Sequence, residues 1–312
     1  MLAKMNSIER TLTMLLKTPC RVVTARMLGG GCISEAMEVG VEFADRLSVP
    51  GEDLISRWPQ GRLFVKRNEP AFLDNFECEA WGLEQLAQAG AIRAPRPVAV
   101  GVAEGRAWLV TTWIETGPTS QDFFPKFGQQ LARLHQVTLG TEIGGPRDNY
   151  LGAARQVNSP RATWSEFVAE QRIGFQLQWA IDQHLAGGKL VRDVEKIIHR
   201  MGALLQGRAE QTSLLHGDLW SGNYLCDSQG EPVIVDPAVY RGCREAELGM
   251  IRLFGGCPPA FDRAYQDTFP LPAGWQRRVS VYVLYHLLNH LNLFGRGYLG
   301  QCQRLAADLL QE

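Results

Sequence analysis

The chain has 312 residues, with 32 Lys plus Arg against 33 Asp plus Glu, 45% hydrophobic and 21% charged residues. That length is about twice a usual single domain, so two lobes are expected, able to bury roughly 75% of the unfolded surface without disulfides or structural metal. The composition excludes extended disorder, and the balanced charge argues against nucleic acid as a partner, which would reward a basic surface. The 26 Arg against 6 Lys read as genome composition.

No apolar run approaches the roughly 20 residues of a membrane span, so no membrane is expected. The opening stretch MLAKMNSIERTLTMLLK alternates charge and hydrophobe as an amphipathic helix does. It lacks the unbroken apolar core and small-residue cleavage site of a signal peptide, so a soluble, cytoplasmic protein is expected. Cys20, Cys32, Cys78, Cys226, Cys243, Cys257 and Cys302 contain no C-x-x-C pair, which excludes a zinc ribbon and reads as reduced thiols.

In chain order, Arg21–Leu28 reads as a strand, Gly29-Gly30-Gly31 breaks it, and Ser34–Phe43 returns as its partner. A polar stretch from Asp45 to Gly61 is expected to be a long loop, with no role assigned. Arg62–Arg67 is a third strand. Phe72–Ala89 carries Phe72, Phe76, Leu83 and Leu86 near helical period and stops at Gly90. Val98–Val102 and Trp108–Thr112 are strands joined by a turn at Glu104-Gly105. From Gln121 onward the period is helical, over Phe127–Thr138, Trp164–Leu185, Leu190–Arg208, Glu245–Phe254 and Trp275–Phe294. Short apolar runs at Tyr224–Cys226 and Val233–Val235 interrupt them. The expected fold class is α+β and bilobal: a small antiparallel-sheet N-lobe with one helix over residues 1–113, and a large helical C-lobe over residues 114–312. Thr112–Pro118 is the connector, and ligands are expected in the cleft between lobes.

The strongest chemical signal is His216-Gly217-Asp218-Leu219-Trp220-Ser221-Gly222-Asn223, the kinase catalytic-loop spacing H-x-D-L-x-x-x-N with Gly where protein kinases have Arg. Asp236 follows thirteen residues beyond Asn223, at the end of an apolar run. Phosphoryl transfer is mostly positioning and charge neutralisation. It asks for one acidic group to orient the attacking hydroxyl, here Asp218, and for a carboxylate and an amide oxygen to hold Mg²⁺ against the phosphates, here Asp236 and Asn223.

Two upstream features agree with a protein-kinase-like fold. Lys66 lies inside an apolar strand, where it needs a partner, and Glu79 on the next helix supplies one. Gly29, Gly30, Gly31, Cys32, Ile33 and Ser34 form a glycine-rich cover whose backbone N–H groups can approach phosphate. Thr112, Trp113 and Ile114 would be the hinge that meets adenine through its backbone.

The segment LLHGDLWSGN, followed by EPVIVDPAVYRGCREAELGMIRLFGG, resembles the ketosamine kinases, the fructosamine 3-kinase family, related to aminoglycoside phosphotransferases and choline kinases. LGGGCISEA, VKRN, FECEAWGLEQLA, PRDNYLGAARQVN and YHLLNHLNLFGRGY extend the resemblance over nearly the whole chain. It implies an ATP- and Mg²⁺-dependent kinase for the third hydroxyl of ribulosamine- or fructosamine-type adducts, on small amines or on protein lysines, where the phosphate promotes release of the amine. It also implies that Asp218 is the catalytic aspartate, that Asn223 and Asp236 are metal ligands, that Lys66 and Glu79 position phosphate, and that Trp220 and His290 line the sugar pocket. The hinge here lacks the acidic residue some members have.

Residue by residue, Trp220 can offer an indole face to sugar C–H groups, or staple the catalytic loop from the core. His286, Asn289 and His290 share one face of the Tyr282–Phe294 helix, read as a polar strip towards the acceptor, with ordinary core histidines as the alternative. Asp148, Asn149, Gln156 and Asn158 form a polar block with no role assigned. The rival activities are a kinase for aminoglycosides or choline-like amines and a nucleotide-binding pseudokinase, the latter disfavoured because Lys66, Asp218, Asn223 and Asp236 are all present. Cys32, among phosphate-directed N–H groups, is a redox candidate whose disulfide with a second copy would give an oxidised homodimer.

Overall fold

The computed structural model describes residues 2–29, 33–43 and 61–311. Its chain divides into two units, Met1–Ala87 with Ala94–Thr116, and Gln88–Arg93 with Gly117–Glu312.

In the first unit, helix α1 (Leu2–Leu16) precedes strands β1 (Cys20–Leu28), β2 (Glu35–Phe43) and β3 (Arg62–Asn68), then helix α2 (Leu73–Ala89) and strands β4 (Pro97–Ala103) and β5 (Arg106–Thr112). The five strands form one antiparallel sheet in the order β1-β2-β3-β5-β4. Strand alternation decides which side each residue faces. Leu63 and Val65 bury on the face that also holds Met37, Val39, Val41, Trp108 and Val110, where Ile8 and Leu12 of α1 pack. Lys66 therefore falls on the opposite face, in register with Ala36 and Leu109, where Ala107 and Leu109 meet Phe76 and Ala80 of α2. A 3₁₀ turn over Pro70–Phe72 delays the start of α2, and the helix stops at Ala89 as the Phe72–Ala89 periodicity predicts.

The second unit opens with α3 (Phe123–Val137) and a short hairpin of β6 (Asn149–Leu151) and β7 (Ala154–Gln156). The helix expected over Trp164–Leu185 comes in three stretches: α4 (Trp164–Phe167), a π-helical turn (Val168–Gly174) and α5 (Phe175–Asp182). The one expected over Leu190–Arg208 breaks at Arg200 into α6 (Gly188–His199) and α7 (Met201–Leu204). Strands β8 (Ser213–Leu215), β9 (Tyr224–Cys226), β10 (Pro232–Ile234) and β11 (Tyr240–Gly242) make two small ladders. Helices α8 (Glu245–Leu253), α9 (Pro259–Thr268), α10 (Trp275–Phe294) and α11 (Leu299–Gln311) complete the chain.

Two of these helices have no counterpart in the sequence reading. Pro258-Pro259 looks like a breaker, yet Pro259 takes the first helical position of α9, where its missing N–H costs nothing. In α11 the helical period is present, Leu299, Cys302, Leu305, Ala306 and Leu309 standing three to four apart with Cys302, Ala306 and Leu309 buried, but the sequence reading ended before it. Around these helices, α10 is buried on nearly every side, packing on α5, α8 and α11.

Candidate active site

The loop carrying Asp218 and the loop carrying Asp236 are held side by side by two ladders. In one, β8 pairs antiparallel with β11, Leu215 opposite Tyr240. In the other, β9 pairs with β10, Tyr224 opposite Ile234. Residues 216–223 leave the first ladder and enter the second, and residues 235–239 run back between the same two ladders. The backbone then closes the pair: Ala238 N–H donates to the His216 carbonyl at 2.9 Å, and Val235 N–H to the Asn223 carbonyl at 3.0 Å.

Within this frame the Asn223 amide Nδ2 donates to the Asp218 carbonyl at 2.8 Å, to Asp218 Oδ2 at 3.2 Å and to the Asp236 carbonyl at 3.5 Å. The three residues expected to carry the chemistry are thus brought together by one buried amide. With Nδ2 committed to these acceptors, Asn223 Oδ1 is the end left to serve as a donor to a cation. Asp236 has φ 57, a left-handed conformation uncommon outside glycine.

His216 is fully buried, and its hydrogen bonds assign the tautomer. Nε2–H donates to the Val235 carbonyl at 2.8 Å, and Nδ1 accepts the Asp218 N–H at 3.2 Å. Burial lowers its pKa, so the ring is neutral, as this bonding requires. The buried carboxylate of Glu247 on α8 accepts the N–H groups of His216 at 2.6 Å and Gly217 at 3.1 Å. Burial alone would raise its pKa, but the His135 ring 3.7 Å away and the backbone N–H of His216 outweigh it, and the group stays below the usual carboxylate range. Gly217 has φ 84, and a Cβ there would lie 2.1 Å from the Ala238 carbonyl oxygen. This contact explains glycine where protein kinases carry arginine.

The polar block left without a role braces the same loops. Asn149 Nδ2 donates to the Val239 carbonyl at 2.8 Å, and Gln156 Nε2 to the Ala238 carbonyl at 3.0 Å and to Asn149 Oδ1 at 2.8 Å. Asn158 Nδ2 reaches Asn149 Oδ1 at 2.9 Å, while Tyr285 O–H donates to Gln156 Oε1 at 3.0 Å. Arg172, from the π turn, donates to Asn158 Oδ1 at 2.8 Å and lies 4.3 Å above the Tyr240 ring. All of these residues are buried, so every bond made here substitutes for one lost to water. Asp148 accepts the Asn158 N–H at 2.8 Å and so shapes the hairpin end. The sequence signal for this network is the set of amides in PRDNYLGAARQVN, which reads as a loop although Asn149 and Gln156 pair across the β6–β7 hairpin.

In the first unit, Lys66 Nζ donates to Glu79 Oε1 at 2.8 Å, the ion pair expected from the sequence. Asn68, two residues along β3, donates to the Ile33 carbonyl and Ser34 Oγ, both at 3.0 Å, and so anchors the glycine-rich segment on its C-terminal side. Gly29 follows β1 in the open, with no atom of the described residues within 4 Å of where a Cβ would stand. Gly30, Gly31 and Cys32 lie outside the described residues, as does the stretch from Asp45 to residue 60. In the stretch read as the hinge, the Thr112 N–H donates to the Arg96 carbonyl at 2.9 Å, and Thr112 Oγ1 accepts the Arg96 N–H at 3.0 Å. Thr112 therefore holds the strand end, and its N–H is already engaged. Trp113 lies 5.5 Å beneath the Arg62 guanidinium, and Ile114 is buried.

Trp220 is half-buried, not a core residue. Its ring packs over Gly222, where a Cβ would come within 2.5 Å of it, and stands 5.7 Å from Phe254. His290 lies 5.2 Å from Phe254, so Trp220 and His290 are joined through a phenylalanine the sequence reading did not single out. The polar strip on α10 is only partly as expected. Asn289 turns inward and accepts from Gln176 Nε2 at 3.1 Å, and His286 is buried against Tyr285, its pKa pushed down to about 3 by burial. A nearly all-buried helix has no polar face to spare, so only His290 takes part in the aromatic group.

Among the described residues no cluster of three or more His, Cys, Asp or Glu could cage a metal. The donor set that is present, one carboxylate and one amide oxygen, suits a hard cation that keeps waters and phosphate oxygens as its other ligands. The described cysteines Cys20, Cys78, Cys226, Cys243, Cys257 and Cys302 are free thiols, and no helix among the described residues is long and apolar enough to cross a membrane.

Comparison with known proteins gives the family. The family model for fructosamine kinase matches residues 4–312. A probable ketoamine kinase of Synechocystis sp. is 37% identical over 309 residues, covering 99% of this chain and 98% of the relative. A chloroplastic protein-ribulosamine 3-kinase of Oryza sativa subsp. indica is 35% identical over 295 residues, 93% of this chain and 80% of the relative. The crystal structure of a putative fructosamine-3-kinase from Thermobifida fusca superposes with TM-score 0.81 at 31% identity, covering 98% of this chain and 99% of that one. An aminoglycoside phosphotransferase, at TM-score 0.62 and 16% identity over 98% of each chain, shares the kinase-like α+β fold. With the catalytic-loop geometry and these likenesses in agreement, the chain belongs to the fructosamine kinase family, phosphotransferases that act on a hydroxyl group.

Proposed function

We propose that the protein is an ATP- and Mg²⁺-dependent ketosamine 3-kinase, acting on ribulosamine- or fructosamine-type adducts of amines and of protein lysines. The observation that carries this reading is the Asn223 amide bound to both the backbone and the carboxylate of Asp218. An Asp so placed can orient a sugar hydroxyl and take its proton as the phosphoryl group is transferred. Asn223 Oδ1 and the Asp236 carboxylate would hold Mg²⁺, which supplies charge neutralisation on the phosphates when bound. Lys66, steadied by Glu79, would bind phosphate oxygens, and residues Gly29–Ser34 would cover them. Trp113 and Ile114 would meet adenine, Thr112 being engaged with Arg96.

The relatives' names favour ketoamines over aminoglycosides, whose kinases match this chain in fold alone. The test is an ATP-consumption panel of ribuloselysine, fructoselysine, kanamycin and choline, with and without Mg²⁺. Turnover is expected with the two ketosamines, with higher kcat/KM for ribuloselysine, because the extra carbon and hydroxyl of the hexulose need both room and a partner. Asp218→Asn is expected to lose activity by orders of magnitude while nucleotide affinity stays nearly unchanged. Full turnover by that variant sinks the assignment.

The free thiols fit a reducing, cytoplasmic setting. Cys32 would be the regulatory thiol, forming a disulfide with a second copy under oxidant. Oxidant should then lower activity reversibly and ATP should protect, whereas Cys32→Ala should lose the response. Equal inhibition of that variant assigns the effect to another thiol.

A further inference from the structure

Five aromatic side chains form a continuous track that starts on the catalytic loop. Trp220 meets Phe254 at 5.7 Å, Phe254 meets His290 at 5.2 Å, and His290 meets Phe294 at 5.3 Å and Tyr298 at 5.2 Å, ring centre to ring centre. Phe294 and Tyr298 close the far end at 6.2 Å. All five lie in the second unit, Trp220 on the catalytic loop and the other four at the end of α8 and along the last two turns of α10 into the segment beyond it. The track runs from the core to the surface: His290 at its centre is buried and Tyr298 packs against the core. Phe254 is 45% and Phe294 60% exposed, among the most open large apolar side chains described. Two exposed aromatic rings linked through a shared neighbour mark a binding site more often than isolated apolar residues do.

Its chemistry is uniform. His290 spends Nδ1–H on the His286 carbonyl at 2.8 Å, which makes Nε2 an acceptor in the neutral ring, and burial lowers its pKa and so favours that neutral form. The track therefore offers π-faces and one acceptor nitrogen, with no charged group among its five members. A ketosamine presents the matching sequence of groups. Its reacting hydroxyl, on C3, stands two carbons from C1, C1 carries a secondary ammonium, and the hydrocarbon stem of the carrier amine follows. With C3 held at Asp218, the indole face of Trp220 on the same loop would attract the ammonium. The stem then has to leave the catalytic loop along some surface.

Resting on the ketosamine reading above, we infer that Phe254, His290, Phe294 and Tyr298 form the amine-side subsite, which takes the apolar stem of the carrier amine. The occupant is the part of the substrate that is not sugar: an alkyl or aryl amine, or the lysine side chain and its apolar neighbours in a glycated polypeptide. The subsite makes the enzyme discriminate among carriers of the same sugar, a specificity that the catalytic loop alone does not supply.

The experiment measures kcat/KM for ribulosamines of ethylamine, butylamine, hexylamine and phenethylamine. Each added methylene covered by the track should raise kcat/KM, by up to about fourfold where it is fully covered. Phe294→Ser should flatten this dependence, and Phe254→Ser should do so as well. The control Met14→Ser, at a 60% exposed side chain in the first unit, should keep the slope. Both test residues are open enough that folding is preserved, and Phe294→Ser alone decides the matter if Phe254→Ser does not fold. An equal slope in Phe294→Ser, or no slope in the unaltered enzyme, overturns the subsite while leaving the ketosamine activity standing. Failure to phosphorylate any of the four ribulosamines overturns both.

Discussion

The imidazole of His216 donates to the carbonyl of Val235 at 2.8 Å, nineteen residues along the chain and immediately before Asp236. Because the same ring accepts the Asp218 N–H, one neutral histidine ties the loop of Asp218 to that of Asp236. Protonation would turn Nδ1 from acceptor to donor and break the second bond.

This makes stability depend on pH with a definite sign. His135, His216 and His286 are buried, and burial lowers the pKa of each, to about 3 for His286. The unfolded chain binds protons on these rings below about pH 6.5 and the folded chain does not, so their stabilisation is complete above that pH and is lost as pH falls towards the folded values. Each ring should cost about 1.4 kcal/mol per pH unit over that window. Denaturant unfolding at pH 7.5 and 5.5 checks it, with His286→Phe expected to remove one ring's share of the slope. A flat stability between those pH values contradicts the assignment.

Gly217→Ala should damage the site more than its size suggests. The new methyl would press on the Ala238 carbonyl in a left-handed backbone that alanine resists. Since Ala238 N–H holds the His216 carbonyl, relief of the clash separates the two loops. A fall of about a hundredfold in kcat is expected, with about 1–3 kcal/mol lost from stability. The matched change Gly202→Ala, with open space at its Cβ, should be neutral. Steady-state kinetics and melting of the two variants give the comparison.

Lys66→Met and Glu79→Gln should differ in size and couple to one another. The methionine removes the charge aimed at phosphate, and KM for ATP should rise tenfold or more. The glutamine keeps an acceptor for the 2.8 Å bond, so its effect should be smaller. In the double variant the two losses should not add, because the second change removes a partner already gone. Strict additivity in KM for ATP would mean that the pair does not act as a unit.

Arg278 and Glu245 form a buried bidentate pair, with bonds of 2.8 and 2.7 Å, and Arg278 also donates to the carbonyls of Pro272 and Ala273. Glu245→Gln should lower stability by about 3–5 kcal/mol, since it leaves a guanidinium buried without its counter-charge. Activity per folded molecule should be unchanged, which separates this scaffold pair from the catalytic loops. Chemical denaturation beside initial rates on the folded fraction measures both quantities.

Much of the site is legible in the chain because its groups have local reasons. Spacing within one loop places Asp218 and Asn223, and strand alternation sends Lys66 to the face opposite Leu63 and Val65. The aromatic and amide partners have no such local mark. Phe254 reads as the last residue of an apolar helix, and Asn149 and Gln156 read as a turn.

What the amino-acid sequence determined by itself is therefore the set of short-range facts: strand and helix periods, the H-x-D-L-x-x-x-N spacing, a lysine in an apolar strand, and the resemblance those residues carry. Only the tertiary structure decided which distant residues complete them. Two three-residue ladders set residues 216–223 against 235–239, and buried amides from residues 149–158, with no water to satisfy them, had to bond the carbonyls of Ala238 and Val239. The same holds for Trp220, which packs on Phe254 from the end of α8, itself against His290 of α10. A hydrogen bond or a ring contact across more than thirty residues leaves no period in the chain, because it is chosen by what else must be buried.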